Sequence, residues 1–201
     1  MKKDVLKNIS KFFAEIGNLA RIKRTGPILA GVKDPENIAE HVARAAQIAY
    51  VLAYLEGANP EKTAAILLFH DNGEVRVGDQ HKIASRYFDI SKAEDKAFKE
   101  QANNLPDKLK QRIISLRKEH QERKTKEGIV ARDADWLESA IEARELIEQG
   151  HDGMQSWIDN VKKALETESA KQLLEYIDNE KDFLNSWWQG LNKMTYKKLH
   201  S

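Results

Sequence analysis

The chain has 201 residues, 41% of them hydrophobic and 32% charged, a length that suits one domain burying roughly 70% of the surface its unfolded chain exposes. Lys and Arg total 33 against 32 Asp and Glu, a net charge of +1, so no global nucleic-acid or membrane-surface role is signalled. Cysteine is absent, which excludes a disulfide framework, thiolate catalysis and thiolate metal sites and leaves nitrogen and oxygen to ligate any metal.

The N-terminus, Met1-Lys2-Lys3-Asp4, lacks the apolar run of a signal peptide, and charges interrupt every apolar stretch before spanning length. The expectation is a soluble, cytoplasmic protein with neither nucleic acid nor membrane as partner. Pro (4) and Gly (10) are scarce, no segment alternates as a strand, and no linker divides the chain. The pattern predicts one all-α domain.

The first helix is predicted over 3–22, with Val5, Ile9, Phe12, Phe13, Ile16 and Leu19 at helical spacing. Arg24-Thr25-Gly26-Pro27 reads as a loop. The second helix starts near Glu36, carries an apolar stripe of Ile38, Val42, Ala45, Ala49 and Leu52, and stops at Gly57. Asn59-Pro60 reads as an N-cap followed by Pro at the first helical position. The third helix contains Ala64-Ala65-Ile66-Leu67-Leu68-Phe69, apolar all round and therefore expected to be buried. Six more helices are predicted, over 91–104, 106–122, 128–148, 154–165, 169–179 and 181–192.

The third helix runs straight into His70-Asp71. An ionised Asp at the end of an apolar helix is costly to bury unless it is paired or bound to metal. A divalent cation would supply the compensation, with His70 as the imidazole ligand beside it. His41 lies on the inner face of the second helix, at positions 38, 41, 45, 48 and 52, and a polar imidazole there also needs a partner. Taken singly, either histidine also reads as a core residue hydrogen-bonded to backbone, and for His41 that reading is preferred.

Three segments gain meaning together: Asn37-Ile38-Ala39-Glu40-His41; His70-Asp71 with Glu74 and Gly78-Asp79; and Arg132-Asp133-Ala134-Asp135-Trp136-Leu137-Glu138. Their order and context resemble the HD-domain metal-dependent phosphohydrolases, and most nearly the branch of bacterial and human 5'-deoxynucleotidases. The likeness runs from about residue 19 to about residue 146 and is strongest between Arg24 and His41. It implies a single HD-domain helical bundle over 1–201 with a metal site between helices. The motif-bearing core would be about 19–146, with C-terminal helices over 150–201.

The resemblance implies metal ligands His41, His70, Asp71 and Asp135 around one divalent ion, with Mn²⁺, Co²⁺, Ni²⁺, Fe²⁺, Zn²⁺ and Mg²⁺ all compatible with such a donor set. Helical periodicity favours Asp133 at the last position, in line with Val130, Leu137 and Ala140, whereas the family pattern selects Asp135. The expectation follows the pattern and leaves Asp133 as a cap or supporting partner. Glu74, four residues after His70, and Asp79, after Gly78, are the implied proton-handling residues; their bland alternatives are a surface Glu and a turn Asp. Arg24 is the implied phosphate contact, against a solvated Arg. Glu119 resembles a supporting Glu of the branch.

The implied reaction is hydrolysis of a nucleoside 5'-monophosphate, deoxyribonucleotides foremost, by a small-molecule enzyme that is open to homodimerisation. Two other readings stay open: an inert HD scaffold binding a nucleotide or protein partner, and an HD phosphodiesterase or pyrophosphohydrolase. The chain departs from the branch at Pro27, where an aromatic is usual, at Gly73, where Ala or Ser is common, and at Gln80-His81-Lys82. The basic stretch 108–126 reads as a solvated amphipathic helix. His81, His120, His151 and His200 are expected on the surface, and Trp187-Trp188 as either a subunit contact or a core cap.

Overall fold

The computed structural model describes residues 2–191. Eleven helices carry the described chain: α1 (Lys3–Ile16), α2 (Thr25–Leu29), α3 (Ile38–Glu56), α4 (Pro60–Phe69), α5 (Glu74–Val77), α6 (Ile90–Ala102), α7 (Asp107–Glu122), α8 (Lys126–Glu148), α9 (Gln155–Ala164), α10 (Glu168–Asn179) and α11 (Phe183–Ser186). Among the described residues the extended pairing is a single antiparallel bridge between Lys23 and Asn37.

The centre is α3, α4 and α8. Ala45, Ala49, Leu52 and Ala53 of α3 meet Ile66 and Leu67 of α4 and Ala131, Ala134, Leu137 and Ala140 of α8, all buried. The many alanines keep the side chains between these helices short, so the axes come close and polar groups can face one another across the seam. Met154, Ile158 and Leu174 close the same core from the C-terminal side. Phe12, Phe98, Leu105 and Ile113 make a second cluster beneath α1, α6 and α7. Each fully buried Leu, Ile or Phe contributes about 1.5–3 kcal/mol, and Ile66, Leu67 and Phe98, at 0–1% exposure, hold α4 against its neighbours.

The helix starts follow their caps. The Asn37 side chain accepts from the Glu40 N–H while Glu40 reaches back to the Asn37 N–H, a reciprocal capping box that starts α3. Asn59 accepts from the Lys62 N–H with Pro60 at the first position of α4.

Several boundaries differ from the sequence reading. The first helix is α-helical only to Ile16 and tightens to a 3₁₀ turn over Gly17–Arg21. The stretch expected as a loop at 24–27 includes the start of α2. α4 is not buried all round, since Leu68 is 50% exposed. The last predicted helix reduces to the four residues of α11, with Trp187 and Trp188 both exposed; its predicted end, Asn192, lies outside the described residues, as does His200.

Gly73, one of the departures from the branch, has a packing task in the structure. It has ordinary helical dihedrals, φ −62° and ψ −28°, so freedom of φ is not what it supplies. A Cβ on Gly73 would lie 2.5 Å from the Glu94 carbonyl oxygen, because α6 crosses against the turn there. The missing side chain is what lets α6 approach. Gly73→Ala should therefore cost about 1–3 kcal/mol, the usual cost of overpacking against unyielding backbone. The measurement is the urea midpoint, which should fall at unchanged slope; an unchanged midpoint would show that α6 gives way freely.

Candidate metal centre

Each candidate side chain is placed by its backbone. His41 sits one turn into α3 and is 1% exposed. Four residues after the capped start of α3, it faces α8 rather than solvent. α4 ends at Phe69, and the chain makes a turn through residues 70–73 before α5 begins. That turn points His70 and Asp71 toward α3. Asp135, in the third turn of α8, comes from the opposite side.

The four groups converge. His41 Nε2 lies 3.6 Å from Asp71 Oδ2 and 3.3 Å from Asp135 Oδ1. His70 Nε2 lies 3.0 Å from Asp71 Oδ2 and 3.6 Å from Asp135 Oδ1. The imidazole centroids are 5.4 Å apart. Both rings are held from behind. His41 Nδ1 donates to Glu138 Oε2, and His70 Nδ1 donates to the Leu67 carbonyl at 2.7 Å. A neutral imidazole that donates from Nδ1 keeps its lone pair on Nε2, so both lone pairs point into the same space. His70 Nε2 is buried there without a hydrogen-bond partner.

This space calls for positive charge. Burial opposes charge on His41, but hydrogen bonds with Asp135 and Glu138 outweigh it and hold His41 up to about 9. His70 is pushed well above its usual value against its own burial, by Asp71 and Asp135. Both aspartates lie below the ordinary carboxylate range despite burial, chiefly through the charge of His70. Protons on the imidazoles answer that demand one way, and a metal cation answers it another. Ligand atoms bound at about 2.0–2.2 Å to one ion lie roughly 3.0–3.6 Å from their neighbours, which is the spacing found. Two imidazole nitrogens and two carboxylate oxygens, with both rings oriented by partners behind them, fit a divalent transition metal.

The model of the HD domain family matches residues 16–178. The chain belongs to the HD domain family. A relative named 5'-deoxynucleotidase HDDC2, from Dictyostelium discoideum, is 31% identical over 73% of this chain and 81% of its own. The 5'-deoxynucleotidase of Erwinia tasmaniensis is 28% identical over 94% of this chain and 98% of its own. Among solved structures, a conserved hypothetical protein from Pyrococcus furiosus superposes with a TM-score of 0.70 at 28% identity, covering 83% of this chain and 97% of that one.

Around the centre of this HD domain, the other candidates fall into distinct places. Glu74 opens α5, so the helix does not continue unbroken from His70; its carboxyl is nevertheless buried, with Oε2 unpartnered. Burial, followed by the charges of Asp71, Asp79 and Glu94, holds it well above the usual carboxylate range. Asp79 accepts from the Thr25 N–H and, at 2.8 Å, from the Thr25 hydroxyl, tying the turn after α5 to the start of α2. Arg24 donates to Ser139 at 3.0 Å and lies 3.9 Å from both Glu36 and Glu138. Glu119 stands apart: it pairs with Lys62 at 2.7 Å and accepts from Thr125, the cap of α8.

Asp133, favoured by periodicity, is buried on another side of α8. It accepts from the N–H groups of Glu166 and Thr167 and from the Thr167 hydroxyl, holding the entry to α10.

Three residues were missed or misread. Glu138, quoted in the motif but given no role, is fully buried. It accepts from His41 and from Arg44 Nε at 2.8 Å. Its signal was its position three residues after Asp135, with Glu142 four further on, an acidic row along one helix face. His120 was expected on the surface; it is 5% exposed and stacks edge-on against His70 at 4.9 Å. Arg117, read as part of a solvated basic helix, is 4% exposed and donates to the His70 carbonyl, with Phe98 under its guanidinium at 5.1 Å. His81 and His151 are half-buried and stand outside the cluster.

Asp133→Ala should cost about 1–3 kcal/mol, since it strips the buried N–H groups of Glu166 and Thr167 of their acceptor. Metal uptake should be unchanged. Loss of metal with full stability would instead make Asp133 the ligand.

Proposed function

We propose that this chain is a metal-dependent phosphomonoesterase that hydrolyses nucleoside 5'-monophosphates, deoxyribonucleotides foremost, to nucleoside and phosphate in the cytoplasm. The observation that carries the reading is the convergence of two imidazole lone pairs and two carboxylates on one buried space, each ring fixed from behind. The names of the relatives from Dictyostelium and Erwinia support the choice of substrate.

In this reading His41, His70, Asp71 and Asp135 hold one divalent ion. When bound, such an ion acidifies water and polarises a phosphoryl oxygen. Hydrolysis forms a bond from water oxygen to phosphorus and breaks the bond from phosphorus to the sugar oxygen, which must take up a proton. Glu74 is the group to provide it: buried, unpartnered at Oε2 and pushed by burial well above the usual carboxylate range, it is placed to donate to the leaving oxygen. Asp79, fixed by Thr25, lines the sugar side. Arg24 supplies a cation to the phosphoryl oxygens, and its neighbours Glu36, Glu138 and Ser139 hold the guanidinium in place so that little side-chain entropy is lost on binding. Glu138 aligns His41, and removing such a partner typically weakens metal binding by about 10–100-fold.

The test combines metal content with turnover. The purified protein should carry one divalent ion per chain, and His70→Ala should lose it. Chelation should abolish phosphate release from deoxyribonucleoside 5'-monophosphates, and Mn²⁺ or Co²⁺ should restore it. Glu74→Gln should keep the metal and lose kcat by about 10²–10⁴-fold, the typical worth of a positioned acid or base. Equal kcat/KM for paired ribo- and deoxyribonucleotides would remove the deoxy preference. Activity on diesters alone would remove the monoesterase reading, and full activity after chelation would falsify the metal.

A further inference from the structure

His120 has no task in the reading above. It reaches from the last turn of α7 into the space between α4 and α8 and is 5% exposed. Its Nε2 is buried with no hydrogen-bond partner. The group in front of that nitrogen is Asp135 Oδ2, at 3.4 Å. The ring stands edge-on to His70, so it meets the aspartate from the flank, outside the pair of Nε2 lone pairs.

The two oxygens of Asp135 are divided between two environments. Oδ1 faces His41 Nε2 and His70 Nε2. Oδ2 accepts from Arg132 Nη1 at 3.2 Å and faces His120. A guanidinium on Oδ2 makes that side hostile to a second cation, which argues against His120 as a ligand of another ion. An imidazole facing a carboxylate oxygen is a donor, and a neutral imidazole has one N–H to give.

We infer that His120 is a positioning residue: its Nε2–H, with Arg132, occupies Asp135 Oδ2 and leaves Oδ1 alone to face the two imidazoles. This rests on the metal-site reading above. A carboxylate free to rotate about its last bond can offer either oxygen or both. One pinned through Oδ2 is a one-oxygen ligand in a fixed direction. One half of the pin comes from α7, an element carrying none of the proposed ligands, so α7 reaches the centre through Asp135 as well as through Arg117 at the His70 carbonyl.

The test uses Co²⁺ as the probe, added to the full metal-stripped chain in competition with a chromophoric chelator, together with its visible d–d absorption. His120→Leu keeps bulk and removes the donor; His120→Gln places an amide N–H near the position of Nε2. His120→Leu should bind Co²⁺ about 10–100-fold more weakly, with altered d–d bands, while His120→Gln stays close to the native affinity and spectrum. Thermal melts of the metal-free proteins check that both variants are folded. Native affinity and spectrum in His120→Leu would overturn the inference. So would a folded His120→Gln as weak as His120→Leu, or a second equivalent of Co²⁺ in the native chain that His120→Leu loses. Failure of the underlying reading looks different: the native chain takes up no Co²⁺, or His70→Ala takes it up as well as the native chain, and the inference falls with it.

Discussion

The hydrogen bond from His41 to Glu138 is the constraint on which the centre depends. It spans the seam between α3 and α8, and it fixes which nitrogen of His41 carries the proton. Glu138 can remain ionised at zero exposure only because it is surrounded by donors: His41 on one oxygen, Arg44 on the other. Burial alone would raise its pKa, yet the His41 hydrogen bond and the charges of His41, Arg24 and Arg44 keep it below the ordinary value. Taking away one member leaves an uncompensated buried charge, which is far more costly than never having buried the pair. The alanine-lined seam serves this arrangement, since larger side chains would separate the two helices.

Charge is graded outward from that bond. Arg44 also binds Glu145 through two oxygens, at 2.8 and 3.0 Å, and lies 3.4 Å from Glu36. Glu36 and Glu142 are the surplus acids of the group. Burial, then the charge of Glu138, lifts Glu36 to about 8, and burial likewise raises Glu142. The carboxylates at the centre are thus held below the ordinary range, while the carboxyls of Glu36 and Glu142, one layer out, are held above it. Glu74 belongs to the second kind although it lies close by. The difference is in the partners: Asp71 and Asp135 face imidazoles, whereas Glu74 faces Asp71, Asp79 and Glu94.

Much of this was legible in the sequence. The caps Asn37 and Asn59 and the stop at Gly57 mark α3 and α4 because capping is a local interaction written in adjacent residues. The order of His41, His70-Asp71 and Asp135 was readable as a motif, and the structure brings those four side chains together. Periodicity put Asp133 in the inner stripe with Val130, Leu137 and Ala140, and all four are buried, but α8 is buried on more than one side: its polar residues face two different neighbours, and one stripe does not tell which of them looks toward His41. His120 and Arg117 were missed for a related reason. They lie on a helix rich in exposed cations, and only the fold shows that their side of α7 looks toward His70. The last helix, predicted over 181–192, is shorter than expected among the described residues, where Phe183 is the residue of 181–191 that packs against the core. An amphipathic pattern without a surface to pack on does not fix a helix length.

The close crossing of α6 over Gly73 has a consequence for exchanging parts between proteins of this kind. Residue 73 and the path of α6 are a single geometric choice, made at a backbone-to-backbone contact where rotamers offer no relief. The segment between them, from Val77 to Asp89, carries Asp79 and the exposed Ile83, Tyr87 and Phe88. A loop transplanted there from a protein with Ala or Ser at the turn would arrive with end points spaced for a different helix position. The unit that can be moved intact is therefore the whole run from His70 through α6, with its glycine. Its boundaries are drawn by one missing methyl group.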